Sequence, residues 1–200
     1  RARSPLLHHI TNSVTMSECA NITKCLGAAP VMAFAPEEAA DMTALADALV
    51  LNIGTLTREQ VDVMLLSGKA ALHKGIPVVL DVCGAGATSF RNQVCAELVD
   101  ALDVSVIKGN ASEIAAVAGL TVTTRGVDSG VVEHDLDDLV RRVALATGGV
   151  VAMTGAVDRI SDGRRLFHVG NGHERMARIV GTGCMATSVI AAFAAVESDV

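Results

Sequence analysis

The stretch Val78-Val79-Leu80-Asp81-Val82-Cys83-Gly84-Ala85-Gly86-Ala87-Thr88 decides the fold class of this chain. It follows the turn signal Gly75-Ile76-Pro77, and its apolar start predicts a buried strand that ends at Asp81. The glycines then predict a turn, and the spacing over 92–100 predicts a helix. A strand, a glycine-rich turn and a helix follow one another here, which is typical of an α/β protein.

The same alternation continues on both sides of this stretch. Further strands are predicted in the extended segment 5–12, at 31–34, 48–52, 104–107 and 150–155, and in a late antiparallel pair formed by Ile160 and 166–169. Helices are predicted at 14–26, 36–45, 57–73 and 136–146 and from Ile114 onward, and 121–132 is a turn-rich region. Short strands that alternate with longer helices predict an α/β fold with a mainly parallel sheet and helices on both faces.

The composition predicts an intracellular protein with an aliphatic core. Half of the 200 residues are hydrophobic, but the aromatic residues are four phenylalanines alone. The formal net charge is −6 and no long basic run is present, which argues against a nucleic-acid partner. Five cysteines without CxxC pairs suit a reducing compartment. We find no signal peptide and no apolar run long enough to span a bilayer, so we expect a cytoplasmic protein.

Polar residues and glycines follow the predicted strands. In parallel α/β sheets, ligands bind beyond the carboxyl ends of the strands. We therefore expect a ligand site where these ends meet. The residues predicted to gather there are Asn52 to Thr55, Asp81 with Gly84 and Gly86, Lys108 to Glu113, Thr154 with Gly155, and the loop at Gly181.

A second glycine-rich stretch, Ile179-Val180-Gly181-Thr182-Gly183-Cys184-Met185-Ala186-Thr187-Ser188, predicts a loop that enters a helix. The first amides of a helix lack intrahelical partners and lie at the positive end of its dipole, so they suit a phosphate or an oxyanion. Cys184 would lie in the first turn, where a thiol is biased toward its thiolate. An ordinary helix that starts after a glycine turn and buries a cysteine explains the pattern equally well.

Two carboxylates are candidates for a metal site. Asp81, at the tip of a strand, would hold Mg²⁺, although a polar residue often simply ends a strand. Asn110 and Glu113 straddle a predicted helix start, and helix capping explains both without any function. Gly84-Ala85-Gly86 lacks the third small residue of a dinucleotide fingerprint, and the sequence contains no P-loop.

Other chemistries have less support in the sequence. No pair among the six histidines has a metal-ligand spacing, so we predict no transition-metal site, and we expect His173 in a solvent-facing loop. No serine lies in a GxSxG motif, which argues against a serine hydrolase. Cys184 as an acyl-transfer nucleophile would need a base that the sequence neither supplies nor excludes.

Six segments together resemble the hydroxyethylthiazole kinase family, in the same order and at matching separations over essentially the whole chain. The segments are His9-Ile10-Thr11-Asn12, 27–33, 46–55, 84–88, 109–114 and 181–184. The resemblance implies one ribokinase-like α/β domain over 1–200. It also implies a transferase that moves the γ-phosphate of ATP to the primary alcohol of 4-methyl-5-(2-hydroxyethyl)thiazole in thiamine biosynthesis. It further implies Mg²⁺ as cofactor and a homotrimer with sites at the subunit interfaces.

The resemblance assigns substrate contacts to five positions. It implies that Met32 and Gly181 contact the thiazole, and that Asn12 belongs to the same pocket. It implies that Lys108 and Thr154 contact the phosphates of ATP.

The resemblance also assigns the chemical step. Asp81 and Glu113 match the carboxylates on the Mg²⁺ side. Cys184 stands where other ribokinase-like kinases carry a catalytic aspartate, and it would orient the substrate hydroxyl and accept its proton late. The transferred phosphoryl group would lie in an anion hole formed by the backbone amides of Gly181, Thr182, Gly183 and Cys184.

Three features depart from the family pattern. Val82-Cys83 stands where the family has Pro-Val. Lys108 replaces the usual arginine, so a bidentate phosphate contact becomes a point charge. The chain ends at Val200, whereas family members continue through further helices, so we expect the C-terminal helices to be missing.

Three other functions stay open at this stage. The chain could be a ribokinase-like kinase for another small alcohol, such as the hydroxymethylpyrimidine. It could instead bind a thiazole or a nucleotide without catalysis, or act as a cysteine-dependent hydrolase. Substrate competition would separate the two kinases, and binding without turnover would identify the binding protein. Insensitivity to thiol alkylation in the presence of ATP would argue against the hydrolase.

Overall fold

One eight-stranded sheet organises the computed structural model of this protein, which describes residues 4–120 and 133–197. The strand order is β2-β1-β3-β4-β5-β6-β7-β8. The strands are β1 (Leu6–Ile10), β2 (Ala29–Val31), β3 (Ala48–Asn52), β4 (Val78–Asp81), β5 (Val106–Asn110), β6 (Val150–Thr154), β7 (Asp158–Ser161) and β8 (Leu166–Val169). The helices are α1 (Met16–Cys25), α2 (Ala39–Leu45), α3 (Arg58–Lys74), α4 (Ser89–Ala101), α5 (Ala111–Val117), α6 (Glu133–Thr147) and α7 (Thr182–Ala194), with a short 3-10 helix over Glu174–Arg178.

The strands β1 to β6 are parallel, and β7 and β8 are antiparallel additions at one edge. The predicted mainly parallel sheet is therefore confirmed. The late antiparallel pair is confirmed as well, with Ile160 opposite Phe167. A short turn is enough to join β6 to β7, because antiparallel neighbours need no crossover helix.

Helices cover both faces of the sheet, as predicted. On one face, Leu49, Leu51 and Leu80 belong to a core that α2 to α6 complete. On the other face, Val50 and Val79 pack with alanines of α7, which lies beside α1. Neighbouring residues of a strand point to opposite faces, so a strand buried on both sides needs aliphatic residues throughout.

Two strands are displaced from their predicted bounds, and β1 and β6 are shorter than the predicted 5–12 and 150–155. β2 spans Ala29–Val31 and not 31–34, because the imidazole of His8 bonds the carbonyl of Ala33 (2.9 Å) where a neighbouring strand would otherwise pair. β5 spans Val106–Asn110 and not 104–107, because the segment from Lys108 onward stays in register with β6. The second difference places Lys108 inside the sheet.

Thr57 caps α3 by accepting a hydrogen bond from the backbone N–H of Gln60 (3.2 Å). The Gln60 side chain donates to the carbonyl of Thr11 (3.1 Å), so it ties α3 to the loop after β1. No helix within residues 4–120 and 133–197 combines the length and apolarity needed to cross a membrane. The turn-rich region predicted at 121–132 lies outside the described residues.

Candidate active site

Three polar residues stand side by side at the carboxyl edge of the sheet. Asn52 pairs in register with Asp81, and Asp81 pairs with Lys108 on the next strand. All three are buried: Asn52 is 1%, Asp81 0% and Lys108 4% exposed. This register places Lys108, inside β5, level with the last residues of β3 and β4, so the fold brings the predicted residues Asp81 and Lys108 together.

The first turns of α7 lie against this edge. The hydroxyl of Thr187 donates to Oδ2 of Asp81 (2.8 Å). The ammonium of Lys108 lies so close to Gly183 that a Cβ at that glycine would be 2.8 Å from Nζ. A cation and a buried carboxylate thus adjoin the start of a helix.

Gly181 is the N-cap of α7 and has a φ of 89°. A Cβ there would lie 2.6 Å from Cγ2 of Thr15, so both the backbone conformation and the available space favour glycine. The helical ladder begins where the N–H of Met185 donates to the carbonyl of Gly181 (2.8 Å). The preceding amides, from Thr182 to Cys184, have no intrahelical acceptor, so the predicted loop and helix start leave donors for an anion.

Lys108 is a buried cation held by negative charges. Its Nζ lies 3.6 Å from Oδ1 of Asp81. Burial alone would lower the pKa of Lys108, but the charges of Asp81 and Glu113 outweigh it and raise the pKa above its ordinary value. The ammonium therefore remains charged when an anion approaches α7.

Asp81 keeps one oxygen free. Its Oδ2 accepts hydrogen bonds from Asn52 (2.9 Å) and Thr187 (2.8 Å). Its Oδ1 is buried and has no hydrogen-bond partner among the described residues. An orphaned carboxylate oxygen suits Mg²⁺ or a water bound to it, since this ion is held by one or two carboxylates together with substrate phosphates. Residues 4–120 and 133–197 contain no cluster of three protein ligands for a metal.

Glu113 caps α5, as the sequence predicts. Its Oε2 accepts from the N–H of Asn110 (2.7 Å), and the Asn110 side chain accepts from the N–H of Glu113 (3.0 Å). Its Oε1 accepts from the N–H of Gly84 (2.7 Å), which fixes the loop after β4. Burial raises the pKa of Glu113, against these backbone hydrogen bonds, which lower it. Each oxygen keeps a lone pair for a second contact.

Two side-chain amides converge on the sulfur of Cys184. Nδ2 of Asn52 lies 3.3 Å from Sγ, and Nδ2 of Asn12 lies 3.4 Å from it. A hydrogen bond with the Cys83 thiol, with further ones from Thr15 and Asn12, lowers the pKa of Cys184 to about 6, although burial and Asp81 act to raise it. That same hydrogen bond and burial hold the pKa of Cys83 well above its usual value. The thiolate of Cys184 is therefore favoured.

Asn12 and Asn52 join the loop after β1 to Asp81. Nδ2 of Asn12 donates to Oδ1 of Asn52 (2.9 Å), and Asn52 in turn donates to Asp81. Oδ1 of Asn12 accepts from the backbone N–H groups of Val14 (3.1 Å) and Thr15 (3.0 Å). Asn12, predicted for the thiazole pocket, therefore stands beside Cys184.

Met32 and Thr154 lie farther along the same edge. Met32 is half-buried and follows β2, which β1 separates from β3. Thr154 ends β6 opposite Asn110, and its hydroxyl donates to the carbonyl of Gly109 (3.3 Å). Neither residue belongs to the network around Cys184.

Arg91 links two loops of the site. Its Nη1 donates to the carbonyls of Ile53 (2.5 Å) and Cys83 (2.8 Å), and its Nη2 donates to the carbonyl of Gly54 (2.6 Å). The guanidinium thus links the loop after β3 to the loop after β4 through hydrogen bonds to their backbone carbonyls.

Four residues of this site received no role from the sequence. Asn52 was recognisable only as a polar strand end. Thr187 follows Cys184 by three residues, and this spacing places both side chains on the same face of a helix, which could have indicated that Thr187 belongs to the site. Thr15 and Arg91 offer no local signal, because both act on distant parts of the chain.

The sequence model of the hydroxyethylthiazole kinase family matches residues 1–200. This chain belongs to the hydroxyethylthiazole kinase family. It is 58% identical over 199 residues to a hydroxyethylthiazole kinase of Methanoculleus marisnigri, covering 100% of this chain and 71% of the relative. It is 55% identical to one of Methanosarcina mazei, covering 100% of this chain and 76% of the relative.

Solved structures agree with this membership. A hydroxyethylthiazole kinase protein from Pyrococcus horikoshii OT3 superposes with a TM-score of 0.89 at 44% identity, over 98% of this chain and 74% of that chain. A Bacillus subtilis pyridoxal kinase in complex with ADP superposes with a TM-score of 0.71 at 18% identity, over 95% of this chain and 83% of that chain. The second likeness supports the ribokinase-like fold alone.

We predict that Gly181→Ala destabilises the protein more than Gly27→Ala. Both glycines have positive φ, 89° and 88°, so alanine costs each about 1–2 kcal/mol of backbone strain. Gly27 has open space around its Cα, whereas alanine at 181 meets Thr15 at 2.6 Å. Urea unfolding of the two variants measures the difference. Adding Thr15→Ser, which removes the clashing methyl group, should recover part of the extra loss; equal losses in both single variants would contradict this account.

We predict that Arg91→Ala lowers the free energy of unfolding by at least about 2 kcal/mol, because it leaves carbonyls of two loops without their charged donor. Arg58→Ala is the matched control. Arg58 pairs with Glu97 on the surface (2.8 Å), and such exposed pairs contribute about 0–1 kcal/mol. Chemical denaturation measures the free energy of unfolding of both variants. If Arg91→Ala lowers it no more than Arg58→Ala does, Arg91 does not hold the two loops together.

Proposed function

We propose that this chain transfers the γ-phosphoryl group of ATP to the primary alcohol of 4-methyl-5-(2-hydroxyethyl)thiazole, a reaction of thiamine biosynthesis and salvage. One observation carries the proposal beside the family membership. The Lys108 ammonium, the orphaned oxygen of Asp81 and the sulfur of Cys184 all lie around the first turns of α7.

The start of α7 suits a phosphoryl group in transfer. Charge in this transition state is spread over three equatorial oxygens, so fixed donors and cations supply most of the catalysis. The amides of Gly181, Thr182, Gly183 and Cys184 would receive these oxygens. Lys108, packed against Gly183, adds a positive charge beside them. Thr154 is a further candidate for contact with the phosphates of ATP.

Asp81 and Glu113 would hold Mg²⁺ on the ATP side. The ion neutralises phosphate charge when it is bound. The free Oδ1 of Asp81 fits it directly or through water, and Glu113 fits it through water because both of its oxygens already accept backbone N–H groups. Lys108 lies 3.6 Å from the same oxygen, so it competes with the ion for Asp81 or gives way to it.

Cys184 would position the substrate hydroxyl and accept its proton late in the reaction. Little base is needed in a loose phosphoryl transfer, so placement matters more than basicity. The amides of Asn12 and Asn52 hold the sulfur in place. The same donors favour the thiolate, which is the form that accepts a proton.

The thiazole ring would lie between the loop after β1 and the loop before α7. Asn12, Met32 and Gly181 are the residues that we propose for this pocket. Met32 is half-buried and so keeps part of its flexible apolar side chain available. Val14 (62% exposed) and Val180 (71% exposed) stand next to these residues and add apolar surface.

We propose a homotrimer with sites at its subunit interfaces, as the family resemblance implies, and the exposed apolar side chains beside the pocket suit such an interface. Sedimentation velocity and light scattering should give a mass three times the 20.6 kDa of the chain. The charge-introducing variant Val180→Glu should shift this distribution toward smaller species, because a charge at an apolar interface must be desolvated. A monomeric wild-type protein would contradict the assembly.

We predict that ADP release from Mg-ATP depends on 4-methyl-5-(2-hydroxyethyl)thiazole. Cys184→Ala should lower kcat by roughly 10- to 100-fold, which is at or below the lower end of the effect of a proton-transfer group, because a loose phosphoryl transfer needs little base. A coupled assay measures ADP, and mass spectrometry identifies the phosphorylated thiazole.

The variant Cys184→Asp is the matched test of the role of Cys184. A carboxylate can also orient a hydroxyl and accept a proton, so this variant should keep more activity than Cys184→Ala. A folded but inactive Asp variant would contradict the positioning role. Thiazole that binds without any turnover would instead identify a binding protein, and turnover only with a hydroxymethylpyrimidine would identify the other kinase.

A further inference from the structure

The imidazole of His8 is buried beside the segment that carries Met32. His8 lies in β1, is 0% exposed and pairs in register with Val31, the last residue of β2. Its Nε2 lies 2.9 Å from the carbonyl oxygen of Ala33. The main chain and the side chain of one histidine therefore contact the residues on both sides of Met32.

These contacts matter because β2 is a short strand at the edge of the sheet. It has three residues and lies at one end of the described strand order, with β1 as its neighbour. The ladder between the two strands stops at Val31. The hydrogen bond from His8 to Ala33 continues the attachment to β1 two residues beyond the ladder. The backbone of Met32 lies between these two points of attachment.

The position of the hydrogen on the His8 ring follows from its two partners. A carbonyl oxygen only accepts, so Nε2 carries the hydrogen that Ala33 receives. Nδ1 lies 2.8 Å from Oγ1 of Thr43 in α2. The Thr43 hydroxyl has one hydrogen for Nδ1 and for the carbonyl of Ala39 (2.9 Å), and it shares this hydrogen between them. Burial lowers the pKa of His8 and outweighs the hydrogen bond to Ala33 and the charge of Glu38, so the ring is neutral.

We propose that His8 is a positioning residue that holds Met32 in place for the thiazole. This inference rests on the proposed function, in which Met32 belongs to the thiazole pocket. His8 is fully buried and acts through Ala33, whose carbonyl it fixes. Methionine has three rotatable side-chain bonds, so a fixed backbone limits the positions that its thioether can take. A pocket that is ordered before binding loses less entropy when the ligand arrives.

The effect of His8 should fall on thiazole affinity and not on the chemical step. Asp81 and Lys108 lie on β4 and β5, and Cys184 lies on α7. The hydrogen bond of His8 instead fixes the segment after β2, at the other side of β1. Its loss should therefore raise the KM for the thiazole, whereas kcat and the KM for ATP should stay close to their wild-type values.

Two variants of His8 separate its two hydrogen bonds. The side-chain nitrogen of Gln is as many bonds from Cα as Nε2 of histidine, and that of Asn is as many bonds away as Nδ1. His8→Gln therefore keeps a donor for Ala33, whereas His8→Asn keeps a partner only for Thr43. We expect His8→Asn to raise the KM for 4-methyl-5-(2-hydroxyethyl)thiazole roughly 5- to 10-fold, the effect of one lost hydrogen bond. His8→Gln should restore a KM close to that of the wild type.

Thr43 provides a second pair of variants, which keeps the test available if His8→Asn does not fold. Thr43→Val removes the hydroxyl from Nδ1 but preserves the shape of the side chain. It should raise the KM for the thiazole in the same way, although less than His8→Asn does, because the donor to Ala33 remains. Thr43→Ser keeps the hydroxyl and should leave this KM at the wild-type value.

Val140→Ala is the control for a general loss of stability. Val140 is 0% exposed on α6, which packs on β6 and β7. This variant should lower the free energy of unfolding through the cavity that it leaves, but it should not change the KM for the thiazole. Calorimetric titration with the thiazole and amide hydrogen exchange over 29–36 add two readouts. His8→Asn should bind the thiazole more weakly and exchange faster in this segment than His8→Gln.

The outcomes distinguish this inference from the proposed function. If the wild-type protein phosphorylates the thiazole, an unchanged KM in both His8→Asn and Thr43→Val would overturn the inference alone. An equal rise of the KM in His8→Asn and His8→Gln would also overturn it, since the donor to Ala33 would then not matter. A wild-type protein that neither binds nor phosphorylates the thiazole would overturn the proposed function, and this inference with it.

Discussion

The buried pair of Lys108 and Asp81 is the interaction on which the site depends. Removing two charges from water costs several kcal/mol for each ion, and a pair recovers this only when other groups complete its contacts. Asn52 and Thr187 do so for one oxygen of Asp81. The other oxygen lies 3.6 Å from Nζ, too far for a strong hydrogen bond. Both charges therefore keep capacity for a ligand, which a tightly closed ion pair would lack.

This pair also explains how an acidic protein can attract phosphates. A net charge of −6 repels nucleotides at a distance, so the attraction must be local. It comes from one ammonium and the amides at the start of α7, both of which face the same space. Glycine at 183 leaves room for this approach, because a Cβ there would lie 2.8 Å from Nζ and would displace the ammonium. The sheet register and the glycine at 183 thus together place the Lys108 ammonium beside the amides at the start of α7.

The sequence predicted those features that depend on local pattern. Aliphatic runs located β3, β4 and β6, and the capping box at Asn110 was visible because its partners are three residues apart. The network around Cys184 was not visible, since Asn12 and Asn52 are 172 and 132 residues away from it in the chain. The contacts of Arg91 with carbonyls could not be predicted either, because every residue offers a carbonyl. The shortened β2 depends on a side-chain bond of His8 that no strand pattern encodes.

The surroundings of residue 184 suit a thiol. Asn52 has a single side-chain amide group, and it already donates to the Asp81 carboxylate. A second carboxylate at 184 would place two negative charges around that group in a buried setting, where like charges raise each other's pKa. A thiol can lose its proton when the amides of Asn12 and Asn52 turn to it, and it can stay neutral otherwise. The buried charge of Asp81 and its contact with Asn52 thus favour, at position 184, an acceptor that can stay neutral.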